Sequence, residues 1–132
     1  MKMRGSGGYR EALGGRVRGF RFAFAGIRYV LDEPSFRVQL AIAFIVLIAA
    51  ALLRVQPAEW LALILVSLAV LLMEMLNTAI EAVVDLASPQ YDPLAKTAKD
   101  VAAGAVLVAV TGAVLVGAYI FLPHLARLAG MG

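Results

Sequence analysis

Apolar positions along this chain follow two patterns. Over residues 9–31 they recur at helical spacing among arginines. Phe20, Phe24, Ile27 and Leu31 lie four, three and four residues apart, while Arg18, Arg21 and Arg28 fall largely elsewhere on the wheel. An apolar stripe on a basic helix predicts an amphipathic element lying on a membrane surface. Gly14, Gly15, Gly19 and Gly26 weaken its regularity. Beyond it the apolar residues form continuous runs over 38–53, 60–84 and 101–122. A span needs about 20 residues to cross about 30 Å of hydrocarbon. The second and third runs reach that length. The first reaches it by taking in Phe36 and Arg37, whose guanidinium snorkels back to the interface.

Only helices and closed barrels satisfy their backbone in lipid, and unbroken apolar runs point to helices. The pattern therefore predicts an all-α integral membrane protein. Its single domain, 1–132, holds a surface helix at 9–31 and transmembrane helices at 36–53, 60–84 and 99–122.

Composition agrees. Hydrophobic residues make up 62% of the 132 positions, above the roughly 45–50% of soluble domains. With no cysteine, neither a disulfide framework nor a thiolate metal site is available. The net charge of +3 is modest, but eight of the twelve basic residues precede the first long run: Lys2, Arg4, Arg10, Arg16, Arg18, Arg21, Arg28 and Arg37. A basic arm that leads straight into membrane suits anionic lipid, and no nucleic-acid motif accompanies it. By the positive-inside rule the N-terminus is cytoplasmic. Loop 54–59 is then external, loop 85–98 cytoplasmic and the C-terminus external. Trp60, Tyr119 and Phe121 fall at the expected outer interface, where aromatic anchors collect. The basic leader is too long for a signal peptide. The glycine-rich "RGSGGYREALGGR" lacks a P-loop pattern and follows no strand.

The second run is not purely apolar. Glu74, Asn77 and Glu81 stand at i, i+3 and i+7, so they share one helix face, which Asp85 continues. Ionisable groups in lipid are costly and mark sites that face protein, water, a metal or a substrate. "SPQYDPL" then turns the chain back, and Lys96, Lys99 and Asp100 open the third helix. A hairpin joining these groups offers carboxylate oxygens for a hard divalent cation and an ammonium for phosphate. Those are the parts that phosphoryl transfer needs.

"EMLNTAIEAVVD" followed by "YDPLAKTAKDVAAGAVLV" closely resembles the prokaryotic diacylglycerol kinase family. The pattern E-x-x-N-[ST]-A-x-E-x-x-x-D is met in full by Glu74, Asn77, Thr78, Ala79, Glu81 and Asp85. "DEPSFRVQL" adds Glu33, Phe36 and Arg37, so the resemblance covers roughly residues 20 to 120. Within the family, "DPLAKTAKDVAAGAVL" looks more like the undecaprenol kinase branch. Gln39 stands where the enterobacterial branch has Glu, and Ala103 where it has Ser.

The resemblance implies a lipid kinase of the bacterial inner membrane. It would phosphorylate the hydroxyl of a lipid alcohol, undecaprenol ahead of diacylglycerol, as a homotrimer with active sites at subunit interfaces on the cytoplasmic side. Carried over residue by residue, Glu74 is the general base, and Glu33 and Glu81 hold Mg²⁺ bridging the ATP phosphates. Asn77, Lys99 and Asp100 position the nucleotide. Gln90, Tyr91 and Asp92 occupy the stretch that contacts it, with Tyr91 alone keeping its residue type. The surface helix, with Phe20 and Phe24, helps close the site.

Two other classes compete. An ion or proton carrier would spread acidic groups through the membrane, whereas these cluster at one edge. An assembly module would explain the small residues Gly104, Ala105, Gly112 and Gly117, but not Glu74, Asn77 and Glu81.

Overall fold

The computed structural model describes the backbone of residues 7–130 and side chains from Gly14 to Gly130. The basic positions Lys2 and Arg4 and the side chains of Tyr9 and Arg10 lie outside the described residues. Four helices follow one another: α1 (Gly7–Leu31), α2 (Pro34–Leu53), α3 (Pro57–Ala87) and α4 (Pro93–Leu128). The chain divides into two compact units, Met1–Glu33 and Pro34–Gly132.

The first unit is α1. Phe20, Phe24, Ile27 and Leu31 are all exposed along it, which suits a bilayer surface. It is not among the helices long and apolar enough to cross a membrane. Those are α2, α3 and α4.

The second unit is these three helices, run up and down through short connections. Ile45, Leu52, Leu65, Val108 and Leu115 are each more than half exposed. In water so much bare apolar surface would drive association; in hydrocarbon it is the expected exterior. Helix α3 packs most extensively on α4 and less on α2, while α2 and α4 touch each other little.

Each connection has a local cause. Helix α2 ends in a Schellman turn, with Val55 N–H donating to Ala50 O and Arg54 N–H to Ala51 O, both at 3.2 Å. Arg54 takes the left-handed conformation that this turn demands, at φ 52°. Helix α3 opens on Gln56 and Pro57, with the Gln56 N–H donating to Glu59 Oε2 at 2.8 Å. Helix α4 opens on Asp92, whose Oδ1 accepts the N–H groups of Leu94 at 2.8 Å and Ala95 at 3.0 Å, with Pro93 in the first turn. These caps lie outside the apolar runs. Helices α3 and α4 therefore outlast the 60–84 and 99–122 stretches that hydropathy alone outlines.

The tightest packing gathers beside the 54–56 connection. There Ala50, Val55, Leu63 and Ile120 form a buried cluster flanked by Trp60 and Phe121. Also at this end, His124 Nδ1 lies 2.8 Å from Ile120 O and its Nε2 3.6 Å from Glu59 Oε2.

Candidate functional site

Helix α3 carries the polar face forecast by its spacing. Glu74 is 5% exposed, the one buried charged side chain among the described residues. Its carboxylate has no hydrogen-bond or ion-pair partner among them; the Thr78 hydroxyl donates to the Glu74 backbone carbonyl at 3.1 Å instead. No side-chain bond among the described residues therefore accounts for a carboxylate at this position.

One turn on, Asn77 donates from Nδ2 to Glu81 Oε1 at 3.1 Å. That bond fixes the amide and leaves Asn77 Oδ1 buried with no partner. An orphaned amide oxygen beside a carboxylate is an incomplete set of hard oxygen donors. It fits a small divalent cation or an N–H or O–H donor from a ligand. No three acidic or histidine side chains among the described residues are grouped to cage an ion alone. Mg²⁺ suits such a place, because it takes one or two carboxylates and fills its remaining positions with phosphate oxygens and water. Glu33, expected from the resemblance as a second carboxylate, is the last residue of the first unit.

The α3–α4 connection carries the other expected residues. Lys99 on α4 pairs with Asp85 on α3, and Lys96 pairs with Asp100 within α4. Gln90 and Tyr91 lie in the connection itself. The Gln90 carbonyl accepts from Ser88 Oγ at 2.9 Å, and Tyr91 is 81% exposed, its ring open to a ligand. Asp92 commits Oδ1 to capping α4. Glu74, Asn77 and Glu81 thus share α3, and the Lys99–Asp85 pair ties the start of α4 to the end of that helix.

The hydropathy pattern gave no sign of a second feature. Helices α2, α3 and α4 line an open-sided cavity of about 410 Å³, bordered by Gln39, Val46, Leu63, Val70, Val110 and Gly117 among others. Gln39 and Ser67 are the polar side chains in an otherwise apolar lining. Along α4 it extends from Val110 to Leu122, about 18 Å at 1.5 Å per residue. Its α3 wall reaches Val70, one helical turn from Glu74. The small residues Ala113, Gly117 and Ala118 keep its α4 wall thin.

The prokaryotic diacylglycerol kinase family matches residues 21–121. The chain is 45% identical over 111 residues to a diacylglycerol kinase of Synechocystis sp., a match spanning 83% of this chain and 63% of that protein. It is 39% identical to the undecaprenol kinase of Bacillus subtilis, over 89% of this chain and 96% of that protein. The diacylglycerol kinase of Escherichia coli is 30% identical over 82% of this chain and 89% of its own length. Both named activities are phosphotransferases with an alcohol acceptor, and identity alone does not separate the two acceptors. Three apolar helices and a polar face on the middle one thus coincide with a match over most of the sequence: the chain is a multi-pass bacterial membrane protein of the prokaryotic diacylglycerol kinase family.

Proposed function

We propose that this protein phosphorylates the hydroxyl of a membrane lipid alcohol, with ATP as donor and Mg²⁺ as cofactor, on the cytoplasmic side of the membrane. The observation that carries the reading is the partnerless buried Glu74 one turn from the apolar cavity. A lipid alcohol has those two parts, a hydroxyl to be deprotonated and a hydrocarbon chain to be housed. The cavity takes the chain, and the hydroxyl lies at Glu74.

The Glu74 carboxylate accepts the hydroxyl proton as the alcohol oxygen bonds to the γ-phosphorus. The bond from that phosphorus to the β–γ bridging oxygen breaks, and ADP leaves. The products are the lipid phosphate, ADP and a protonated Glu74, which returns its proton to water. A base acts here only within hydrogen-bond reach of the hydroxyl, and a chain seated in the cavity would bring its head toward Glu74, one turn beyond Val70. Lys99 neutralises charge on the phosphate oxygens as it spreads in the transition state. Asn77 and Asp100 orient the nucleotide, and the Gln90–Asp92 connection borders it. Glu81, with Asn77 Oδ1, would hold the metal, which when bound screens the phosphate charge.

The favoured acceptor is undecaprenol, because Gln39 and Ala103 replace the Glu and Ser of the enterobacterial branch. Gln39 also lines the cavity. Diacylglycerol is the second reading, favoured by the 45% identity to the Synechocystis enzyme. Purified protein given labelled ATP, Mg²⁺ and both alcohols side by side tests the proposal. Preferential label in undecaprenyl phosphate is expected. Preference for diacylglycerol would keep the mechanism and reverse the acceptor, and label in neither would overturn the function.

The metal assignment has its own check. Glu81→Gln should shift the Mg²⁺ activation curve to higher concentration, by about tenfold or more. Superimposable Mg²⁺ titrations for that variant and the native protein would remove Glu81 from the metal.

A further inference from the structure

We propose that Asp85 is a positioning residue for Lys99, its carboxylate holding the lysine ammonium where it meets nucleotide phosphate. The proposal rests on the reading of Lys99 as the phosphate-binding residue.

Asp85 lies in the last turn of α3 and Lys99 in the second turn of α4, and their side chains meet across the hairpin. The turn does not need this bond for its shape. Ser88 Oγ donates to Gln90 O, the Ser88 N–H caps α3 on Val84 O at 2.8 Å, and Asp92 caps α4. Nor does the pair add much stability, since the side chains of Lys99 and Asp85 are 37% and 66% exposed. Its effect is geometric. A lysine ammonium rides on a flexible four-carbon stem and acts as a point charge. One of its three N–H donors goes to Asp85, and the others remain for phosphate oxygens. The partial exposure of both side chains leaves an open approach for that phosphate. Lys96–Asp100 differs: it spans one turn within α4, with both side chains more than 60% exposed, and so fixes nothing across the hairpin.

The test uses full-length protein in lipid nanodiscs, with ATP, Mg²⁺ and the better acceptor, comparing Asp85→Asn and Asp85→Glu. A small misplacement of a charge clamp costs turnover steeply. Asp85→Asn should therefore lower kcat about tenfold and raise KM for ATP severalfold, with KM for the lipid and the melting temperature unchanged. Asp85→Glu restores the carboxylate and should recover most of the loss. Unchanged kinetics in Asp85→Asn would overturn the proposal. So would a lower KM for ATP, which would make Asp85 a competitor of phosphate. Equal losses in both variants together with a fall in melting temperature would make the pair a structural tie and also overturn it. Lys99→Met separates the two claims. If that variant keeps native ATP kinetics, the reading of Lys99 itself fails. If it is crippled while Asp85→Asn is normal, only the positioning role fails.

Discussion

Glu74→Gln should fold, insert and lose about 10²–10⁴-fold in kcat, the range expected when a general base is removed. That is a barrier increase of about 3–5 kcal/mol. Glutamine keeps the shape of the side chain but cannot take the hydroxyl proton. The burial of Glu74 gives the experiment a second reading. The Glu74 side chain has no hydrogen-bond or ion-pair partner among the described residues, so a glutamine there breaks no side-chain bond. The melting temperature of Glu74→Gln should equal or exceed the native value, so lost activity could not be put down to misfolding. Retention of near-native turnover would show that another group takes the proton.

The second large effect lies in the apolar cavity. Gly117→Leu places a branched side chain on its α4 wall. A Cβ at Gly117 meets nothing closer than Phe121 Cδ2, at 4.0 Å, so the substitution is accommodated and projects into the open space. Replacing an interior helix glycine also removes a propensity penalty of about 0.8–1.0 kcal/mol, which again protects the fold. A hydrophobic pocket discriminates by about 1–3 kcal/mol per methylene-sized mismatch, or 10–200-fold. KM for the lipid should rise by at least that factor, while KM for ATP stays constant. A short-chain, water-soluble alcohol should be phosphorylated as well by the variant as by the native protein. An unchanged lipid KM would place the hydrocarbon chain elsewhere.

These features were unequally legible in the sequence. The spacing of Glu74, Asn77 and Glu81 needs only the helical repeat, a local property, so their common face could be read directly. The three spans were equally accessible, because lipid selects for composition. Helix ends were less so. Gln56, Pro57, Asp92 and Pro93 set them through capping bonds that a hydropathy pattern does not weigh, and α4 accordingly begins six residues before the 99–122 stretch. The Lys99–Asp85 pair and the cavity depend on which faces of separate helices meet. Spacing within one helix carries no information about that. The orphaned Asn77 Oδ1 is subtler still, since it follows from the direction in which the amide donates to Glu81. The rival classes, an ion carrier and an assembly module, give way to the family match over residues 21–121.

The buried cluster of Ala50, Val55, Leu63 and Ile120 sits beside the 54–56 connection, at the opposite end of α3 from Glu81 and Asp85. That cluster draws on all three helices at one end, while at the other a short turn and the exposed Lys99–Asp85 pair link α3 to α4. The side chains at the polar tips of α3 and α4 are therefore separate from the packing that holds the three helices together. The same separation bears on descent. Residues at the tips can drift toward a new acceptor alcohol while the packing that keeps the chain folded stays untouched, which suits a scaffold whose relatives bear the names of two different lipid kinases.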